Sequence, residues 1–144
     1  ANALRYDAAV PDAWTSIAET YLDMLRARFG PDGRIVDKSL NQSRFLGLVH
    51  HALPNAPLIW VRRNPADCAI SCFRNYFQQG MPWSWSLEDI AHFFQIEDRL
   101  HAYWAATLGD ALLTVEYELL TREPAAAIDR VLAHCGLPAQ AGLE

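Results

Sequence analysis

Apolar residues recur every three or four positions over Asp12–Phe29, and Gly30 follows them. This spacing places them on one face, which predicts an amphipathic helix. The segment RIVDKS at residues 34–39 is short and β-branched at its centre, so it predicts a brief strand. A second helix is expected to begin with Ser43 as its N-cap and to end before Pro54.

The segment LIWVR at residues 58–62 is an almost continuous apolar run, which is typical of a parallel strand covered on both faces. Asn64 suits the N-cap of a following helix, and Pro65 suits its first position, where no N–H is needed. This helix is expected to extend to about Gln79. The strand therefore delivers its last side chains to the start of a helix.

The remaining pattern alternates in the same way. Ser86 with Asp89 three residues later resembles a capping box and predicts the start of a long helix to about Leu108. ALLTVEYE at residues 111–118 predicts another covered strand, and a last helix is expected from about Pro124. Helices alternating with strands predict an α/β fold with a parallel sheet, with about three strands and five helices.

Composition narrows the possible functions. The chain has 144 residues, of which 51% are hydrophobic and 20% charged, as in one ordinary globular domain. Its formal net charge of −5 argues against a broad basic surface for nucleic acid, so any anion site must be local. We therefore expect neither nucleic acid nor a membrane among its partners, since no apolar run approaches the length of a membrane span.

The three cysteines are too few and too odd in number for a disulfide framework. This usage favours a reducing compartment, and we expect the protein to be cytoplasmic. Cys68 and Cys72 lie four residues apart on one predicted helix, a spacing that can hold a metal. No matching pair of ligands occurs elsewhere, so we expect no metal site.

Residues that could bind a ligand follow each predicted strand. Ligands of open parallel sheets bind at the carboxyl ends of the strands. Arg63 stands there before a helix whose free N–H groups would favour an anion, and Ser71 lies about two turns further along that helix. Helical side chains lean toward the N-terminus, so Arg63 and Ser71 could close on one phosphate. Lys38 and Tyr117 would reach the same crevice from the other two strands.

Each of these residues also has a structural explanation. An arginine or lysine at a strand end is commonly a solvated charge, a serine can pack between elements, and a tyrosine can belong to the core. Their coincidence at corresponding ends of three predicted strands is what favours a site.

Three segments resemble one enzyme family. VRRNPADCAISCFRNYF resembles the 3′-phosphate-binding segment of sulfotransferases that use 3′-phosphoadenylyl sulfate (PAPS), in which a strand-end Arg precedes a helical Ser by eight residues. DKSLNQSRFLGLVHHALPNAPLIW is similar to a run in bacterial sulfotransferases attached to tetratricopeptide repeats, which are themselves similar to tyrosylprotein sulfotransferases. VEYELLTREPAAAIDRVLAHCGLP resembles a third segment of that family. The resemblance covers roughly residues 12–138.

The resemblance implies a P-loop-like sulfotransferase fold, PAPS as co-substrate and no metal. It implies that Arg63 and Ser71 bind the 3′-phosphate, that Tyr117 contacts the nucleotide, and that Lys38 stabilises charge during sulfuryl transfer. The acceptor would carry a hydroxyl group, on a peptide, a carbohydrate or a small molecule.

The sequence also departs from the family pattern. Leu40 replaces the usual proline two residues after the lysine, and the Gly- and Ser/Thr-rich 5′-phosphosulfate loop and the acceptor base do not occur here. We therefore expect residues 1–144 to form a single partial domain, the middle to later part of the catalytic domain. By itself it would be inactive, with an exposed sheet edge that permits self-association.

Two other functions stay open at this point. One is a non-catalytic module that binds a phosphate or nucleotide through Arg63 and Ser71. The other is part of a nucleotide kinase, although no G-x-x-x-x-G-K-[ST] motif supports it. Trp83 and Trp85 could line an acceptor pocket or pack against protein, and the pattern does not separate these alternatives.

Overall fold

The computed structural model divides the chain into two compact units, Ala1–Ala56 and Pro57–Glu144, and each is described by itself. The residues whose structure is described are 11–39, 41–75, 77, 80–140 and 142. They confirm the α/β class, with six α-helices and one parallel sheet of two strands in place of the expected five and three. None of the described helices combines the length and the hydrophobicity that a membrane crossing requires. The assignment of residues 1–144 to one partial domain stays a prediction.

The first unit contains helix α1 (Pro11–Phe29), a 3₁₀ turn (Gln42–Phe45) and helix α2 (Leu46–Ala52). The predicted amphipathic helix is confirmed by α1. It ends at Gly30, whose φ of 92° lies in the left-handed region that glycine adopts without a steric penalty. The ring of Trp14 meets the ring of His51 edge-on at a centroid distance of 4.9 Å, which joins α1 to α2.

The predicted strand at residues 34–39 is wrong, because these residues have no regular secondary structure. A strand needs a neighbouring strand to pair its backbone, and neither described strand pairs with this segment. Val36 is 90% exposed, so its β-branched side chain supplies no packing either. The carboxylate of Asp37 instead accepts hydrogen bonds from the hydroxyl groups of Tyr21 and Ser39.

The second predicted helix begins in a different way from the expectation. Ser43 lies inside the 3₁₀ turn and not at an N-cap, and Asn41 precedes the turn with a φ of 67°. Asparagine tolerates this left-handed conformation better than most residues other than glycine. The chain therefore enters α2 through a tight turn that has no side-chain cap.

The second unit alternates strands and helices. Its elements are β1 (Leu58–Arg62), α3 (Pro65–Asn75), α4 (Leu87–Leu108), β2 (Leu112–Glu116), α5 (Tyr117–Arg122) and α6 (Pro124–His134), with 3₁₀ turns at Pro82–Trp85 and Gly109–Ala111. The two strands are parallel, with Leu58 opposite Leu112 and Arg62 opposite Glu116. Both strands therefore end at the same level of the sheet.

Two boundaries differ from the prediction. The strand expected over residues 111–118 ends at Glu116, because Tyr117 begins the short helix α5. The helix expected to reach Gln79 is described as far as Asn75, and Gln79 itself lies outside the described residues.

Both helix starts that were predicted from capping residues in this unit are confirmed. The side-chain Oδ1 of Asn64 accepts hydrogen bonds from the backbone N–H groups of Ala66 at 2.9 Å and Asp67 at 3.3 Å. The Oγ of Ser86 accepts one from the N–H of Asp89 at 3.0 Å. These caps depend on residues two or three positions apart, which is why the sequence alone predicts them.

Each strand has one edge that is unpaired within the described sheet. On β1, Ile59 and Val61 are 40% and 57% exposed. Unpaired edges with apolar side chains favour association with further strands. Self-association through this edge stays a prediction.

The buried apolar residues of the second unit come from the sheet and two helices. They are Leu58, Leu112 and Val115 of the strands, Ile90 of α4 and Ala127 of α6. The side chain of Ile90 has no exposed surface, whereas Ile70 on α3 is 56% exposed. These two isoleucines therefore form a matched pair for measuring how much the buried core contributes to the free energy of unfolding.

We expect Ile90→Ala to lower the free energy of unfolding by about 2–4 kcal/mol, because the substitution removes buried methyl groups and leaves a cavity. Ile70→Ala should change it by less than about 1 kcal/mol, since its side chain is already largely in water. Urea unfolding followed by circular dichroism measures both values. Equal effects of the two substitutions would contradict the position given to Ile90.

Candidate anion-binding site

The parallel register brings two chain junctions together at the carboxyl edge of the sheet. Arg62 ends β1 directly opposite Glu116, which ends β2. Arg63 is the residue after β1, and Tyr117 is the residue after β2. These two residues therefore lie side by side at the carboxyl edge of the sheet. Two of the predicted site residues are neighbours for this reason.

Arg62 and Arg63 have different partners although they are adjacent. The Nη2 of Arg62 lies 2.9 Å from Oδ1 of Asp98 on α4, an ion pair on a partly exposed surface. The guanidinium carbon of Arg63 lies 5.1 Å from the centroid of the Tyr117 ring, a cation–π contact. Arg62 thus holds the sheet to α4, while Arg63 remains exposed at the strand end.

Glu118, in the first turn of α5 just after β2, fixes the junction between β1 and α3. The backbone N–H of Asn64 donates a hydrogen bond to Oε1 of Glu118 at 2.7 Å. This bond is the main reason that the pKa of Glu118 is lowered from its ordinary value, and the positive charge of Arg63 adds to the effect. Glu118 therefore acts as a carboxylate that ties the two strand ends together.

The first turn of α3 has no free amide donors for an anion. Pro65 has no N–H, and Asn64 Oδ1 accepts from Ala66 and Asp67. The N–H of Cys68 donates to the carbonyl oxygen of Asn64 at 3.0 Å. The expectation that free N–H groups of this helix face the ligand is therefore wrong, and an anion must be held by side chains.

An open cavity of about 440 Å³, which we call the α3 groove, lies beside this junction. It is lined by Arg63, Asp67, Ile70, Ser71, Arg74 and Asn75. The predicted pair Arg63 and Ser71 thus shares one cavity. The helical residues are spaced by three or four positions, which places them along one face of α3.

Asn75 orients Ser71 within the groove. Its side-chain Nδ2 donates to the carbonyl oxygen of Ser71 at 2.9 Å and makes a longer contact of 3.4 Å with Ser71 Oγ. Because the amide nitrogen is the donor in both contacts, the hydroxyl proton of Ser71 can point toward another acceptor. A phosphate oxygen in the groove is an acceptor of the required kind.

Four residues of the groove were not predicted from the sequence, namely Asp67, Ile70, Arg74 and Asn75. Their spacing is the signal that could have identified them, since positions four, seven, eleven and twelve after Arg63 share one helix face with Ser71 at position eight. No role was predicted for Glu118, because an interaction between residues 64 and 118 has no local signature.

Lys38 belongs to the first unit, in the irregular segment 34–39, and its side chain is exposed. The preceding Asp37 is held by two short hydrogen bonds, from Tyr21 Oη at 2.6 Å and from Ser39 Oγ at 2.8 Å. These bonds lower the pKa of Asp37, and the bond to Asp37 raises the pKa of Tyr21 to about 12, with a further contribution from partial burial. Leu40, which replaces the family proline, lies outside the described residues.

The surroundings of the cysteines favour neither a reactive thiolate nor a metal site. Partial burial raises the pKa of the Cys72 thiol, which disfavours the reactive thiolate. Within the described residues, no group of three or more His, Cys, Asp or Glu side chains could hold a metal ion.

The two tryptophans have different surroundings. Trp83 stacks on Phe93 at a centroid distance of 4.0 Å. Trp85 is 47% exposed, and its Nε1 donates a hydrogen bond to the Phe77 carbonyl oxygen. Of the two, only Trp85 offers a broad ring surface to solvent.

Comparison with known proteins places the chain in a family. The sulfotransferase family matches residues 2–141. A protein of Aquifex aeolicus (strain VF5), named only "Uncharacterized protein", is 28% identical over 152 residues, covering 95% of this chain and 20% of that protein. The chain thus spans about a fifth of that relative's length. No solved structure matches the chain with significance.

We expect the Glu118 contact to make stability depend on pH. Its pKa is lowered below the ordinary 4.5, so its stabilising effect is present above pH 4.5 and is lost as the pH falls through the folded-state pKa. The melting temperature of the wild type should therefore fall more steeply as the pH drops below 4.5 than that of Glu118→Gln. Glu19→Gln, which removes an exposed carboxylate of α1 in the first unit, is the control and should keep the wild-type slope. Parallel pH profiles for wild type and Glu118→Gln would contradict the role of this contact.

The Tyr21–Asp37 bond gives a second prediction. In the wild type, Tyr21 should titrate near pH 12, and Asp37→Asn should return it toward 10.0 because the charged acceptor is lost. The raised pKa means that the bond stabilises the fold below pH 10 and ceases to do so as the pH rises through 12. NMR of tyrosines labelled at the Cζ carbon follows the titration. Ser39→Ala is the control, and Tyr21 should keep a high pKa in it; a wild-type Tyr21 that titrates near pH 10 would exclude the bond in solution.

Proposed function

Because the chain belongs to the sulfotransferase family, we propose that the α3 groove binds the 3′-phosphate of PAPS in an enzyme that transfers a sulfuryl group to an acceptor hydroxyl. The observation that carries this proposal is that Arg63 and Ser71 line one cavity at the carboxyl end of a parallel strand. A guanidinium group and a hydroxyl donor on the same cavity are the groups that a phosphate monoester binds best. Ligands of parallel sheets also occupy this edge.

The position of Tyr117 supports the proposal that a nucleotide binds beside the α3 groove. Its ring is 40% exposed and lies against the guanidinium of Arg63. The contact restricts the conformations of the Arg63 side chain, so less conformational entropy is lost when an anion binds. We propose that the exposed part of the ring contacts the nucleotide beside the phosphate.

Lys38 would contribute charge stabilisation during transfer. When bound, PAPS supplies the activated sulfuryl group, and the negative charge of the transfer is spread over several oxygens. Fixed cations and hydrogen-bond donors are the main catalytic resource for such a reaction. In the first unit, Asp37 is anchored to Tyr21 and Ser39, which gives the backbone next to Lys38 a defined position.

Binding of adenosine 3′,5′-bisphosphate tests the proposal, because this nucleotide is what remains of PAPS after the sulfuryl group has been transferred. In the full-length protein, isothermal titration calorimetry should show tighter binding of this nucleotide than of adenosine 5′-phosphate. Arg63→Gln should reduce that preference by about 10- to 100-fold, the worth of one charge-assisted hydrogen-bonded contact. Ser71→Ala should reduce it by less, because its hydroxyl is neutral.

Arg62→Gln is the matched control. It removes the neighbouring arginine, which pairs with Asp98 and does not line the groove, so the preference for the 3′-phosphate should persist. A wild-type protein without this preference would overturn the proposed ligand. A protein that binds the nucleotide but transfers no sulfuryl group to any hydroxyl would favour the alternative of a non-catalytic nucleotide-binding module.

A further inference from the structure

We propose that Arg74 is a second guanidinium that binds the same phosphate as Arg63 and makes the α3 groove selective for a terminal phosphate monoester. This inference rests on the proposed function, since it concerns the same ligand. It goes further by assigning a residue that neither the family pattern nor the strand ends pointed to.

The position of Arg74 allows the contact. It lines the same groove as Arg63 and Ser71 and lies three residues after Ser71, a rise of about 4.5 Å along the axis. Side chains of a helix lean toward its N-terminus, and the arginine side chain is long. An arginine at this position is therefore long enough to reach back along the groove toward Ser71.

The charges around Arg63 require a second cation. Asp67 lines the groove with a carboxylate, and Glu118 is close enough to Arg63 for the two charges to interact. Within the groove lining Asp67 alone balances the charge of Arg63, and the Glu118 carboxylate, which accepts from the Asn64 N–H, lies outside that lining. Arg74 gives the lining two positive charges against one negative charge. Among the described residues the side chain of Arg74 forms no ion pair or hydrogen bond. Its charge is consequently available to a ligand.

The start of α3 supplies no backbone donors in place of these side chains. The amides of the first turn of α3 are taken by Asn64, and the N–H of Asn64 is taken by Glu118. A phosphate monoester offers three terminal oxygens and nearly two negative charges at neutral pH. Two guanidinium groups and the Ser71 hydroxyl can match those oxygens from different sides, whereas a diester has fewer free oxygens and one charge.

The experiment compares three nucleotides with the full-length protein by calorimetry: adenosine 3′,5′-bisphosphate, adenosine 5′-phosphate and adenosine 3′,5′-cyclic phosphate. Arg74→Gln should weaken binding of the bisphosphate by about 10-fold or more. Binding of the other two nucleotides should change by less than about 3-fold, because neither presents a 3′-monoester. Arg74→Lys should recover part of the loss, since it restores the charge without the planar fork.

Arg130→Gln is the matched control, an exposed arginine on α6 that does not line the groove, and it should bind like the wild type. Arg74 is exposed, so its replacement should not disturb folding, which circular dichroism checks. If Arg63→Gln loses the 3′-phosphate preference while Arg74→Gln keeps it in full, the role of Arg74 is overturned and the proposed function stands. If the wild type shows no such preference, both are overturned.

Discussion

The arrangement at the candidate site depends on the parallel pairing of β1 with β2 and on the hydrogen bond that extends it. Pairing places Arg62 opposite Glu116, and the bond from the Asn64 N–H to Glu118 continues the connection beyond the last paired residues. A shift of register by one residue would separate these groups and reverse the faces of the strand. The Arg63–Tyr117 contact and the direction of α3 both follow from this single register.

The same interaction determines how an anion can bind. A helix N-terminus at the end of a parallel strand is commonly an anion site because its amides are free. Here a good N-cap and a neighbouring carboxylate occupy those amides, so the helix gains stability and loses direct donors. In the proposed function, recognition therefore depends on side chains on the face of α3. Such contacts depend strongly on the choice of side chain, because guanidinium and hydroxyl groups differ in charge and in geometry.

The sequence predicts features that depend on neighbours in the chain and fails for those that depend on distant segments. Asn64 and Ser86 were identified as caps because their partners lie within three residues. Residues 34–39 have a strand-like composition, but a strand exists only with a paired neighbour, and composition cannot show whether one is present. Glu118 was at a predicted strand end, yet its bond to residue 64 crosses 54 positions. Arg74 was not predicted because it lies in the last turn of α3, away from the strand ends where ligands of parallel sheets bind.

Charge explains why the groove must act at short range. The chain carries a net charge of −5, so its overall field would repel the phosphate of the proposed nucleotide ligand and would not steer it to the groove. Salt screens that repulsion beyond about 8–10 Å, which leaves the local balance of groups in the groove to decide binding. That balance is set by Arg63 and Arg74 against Asp67, and Arg62 does not enter it because Asp98 already pairs with its charge. Two adjacent arginines at a strand end therefore serve separate purposes, one structural and one available to a ligand.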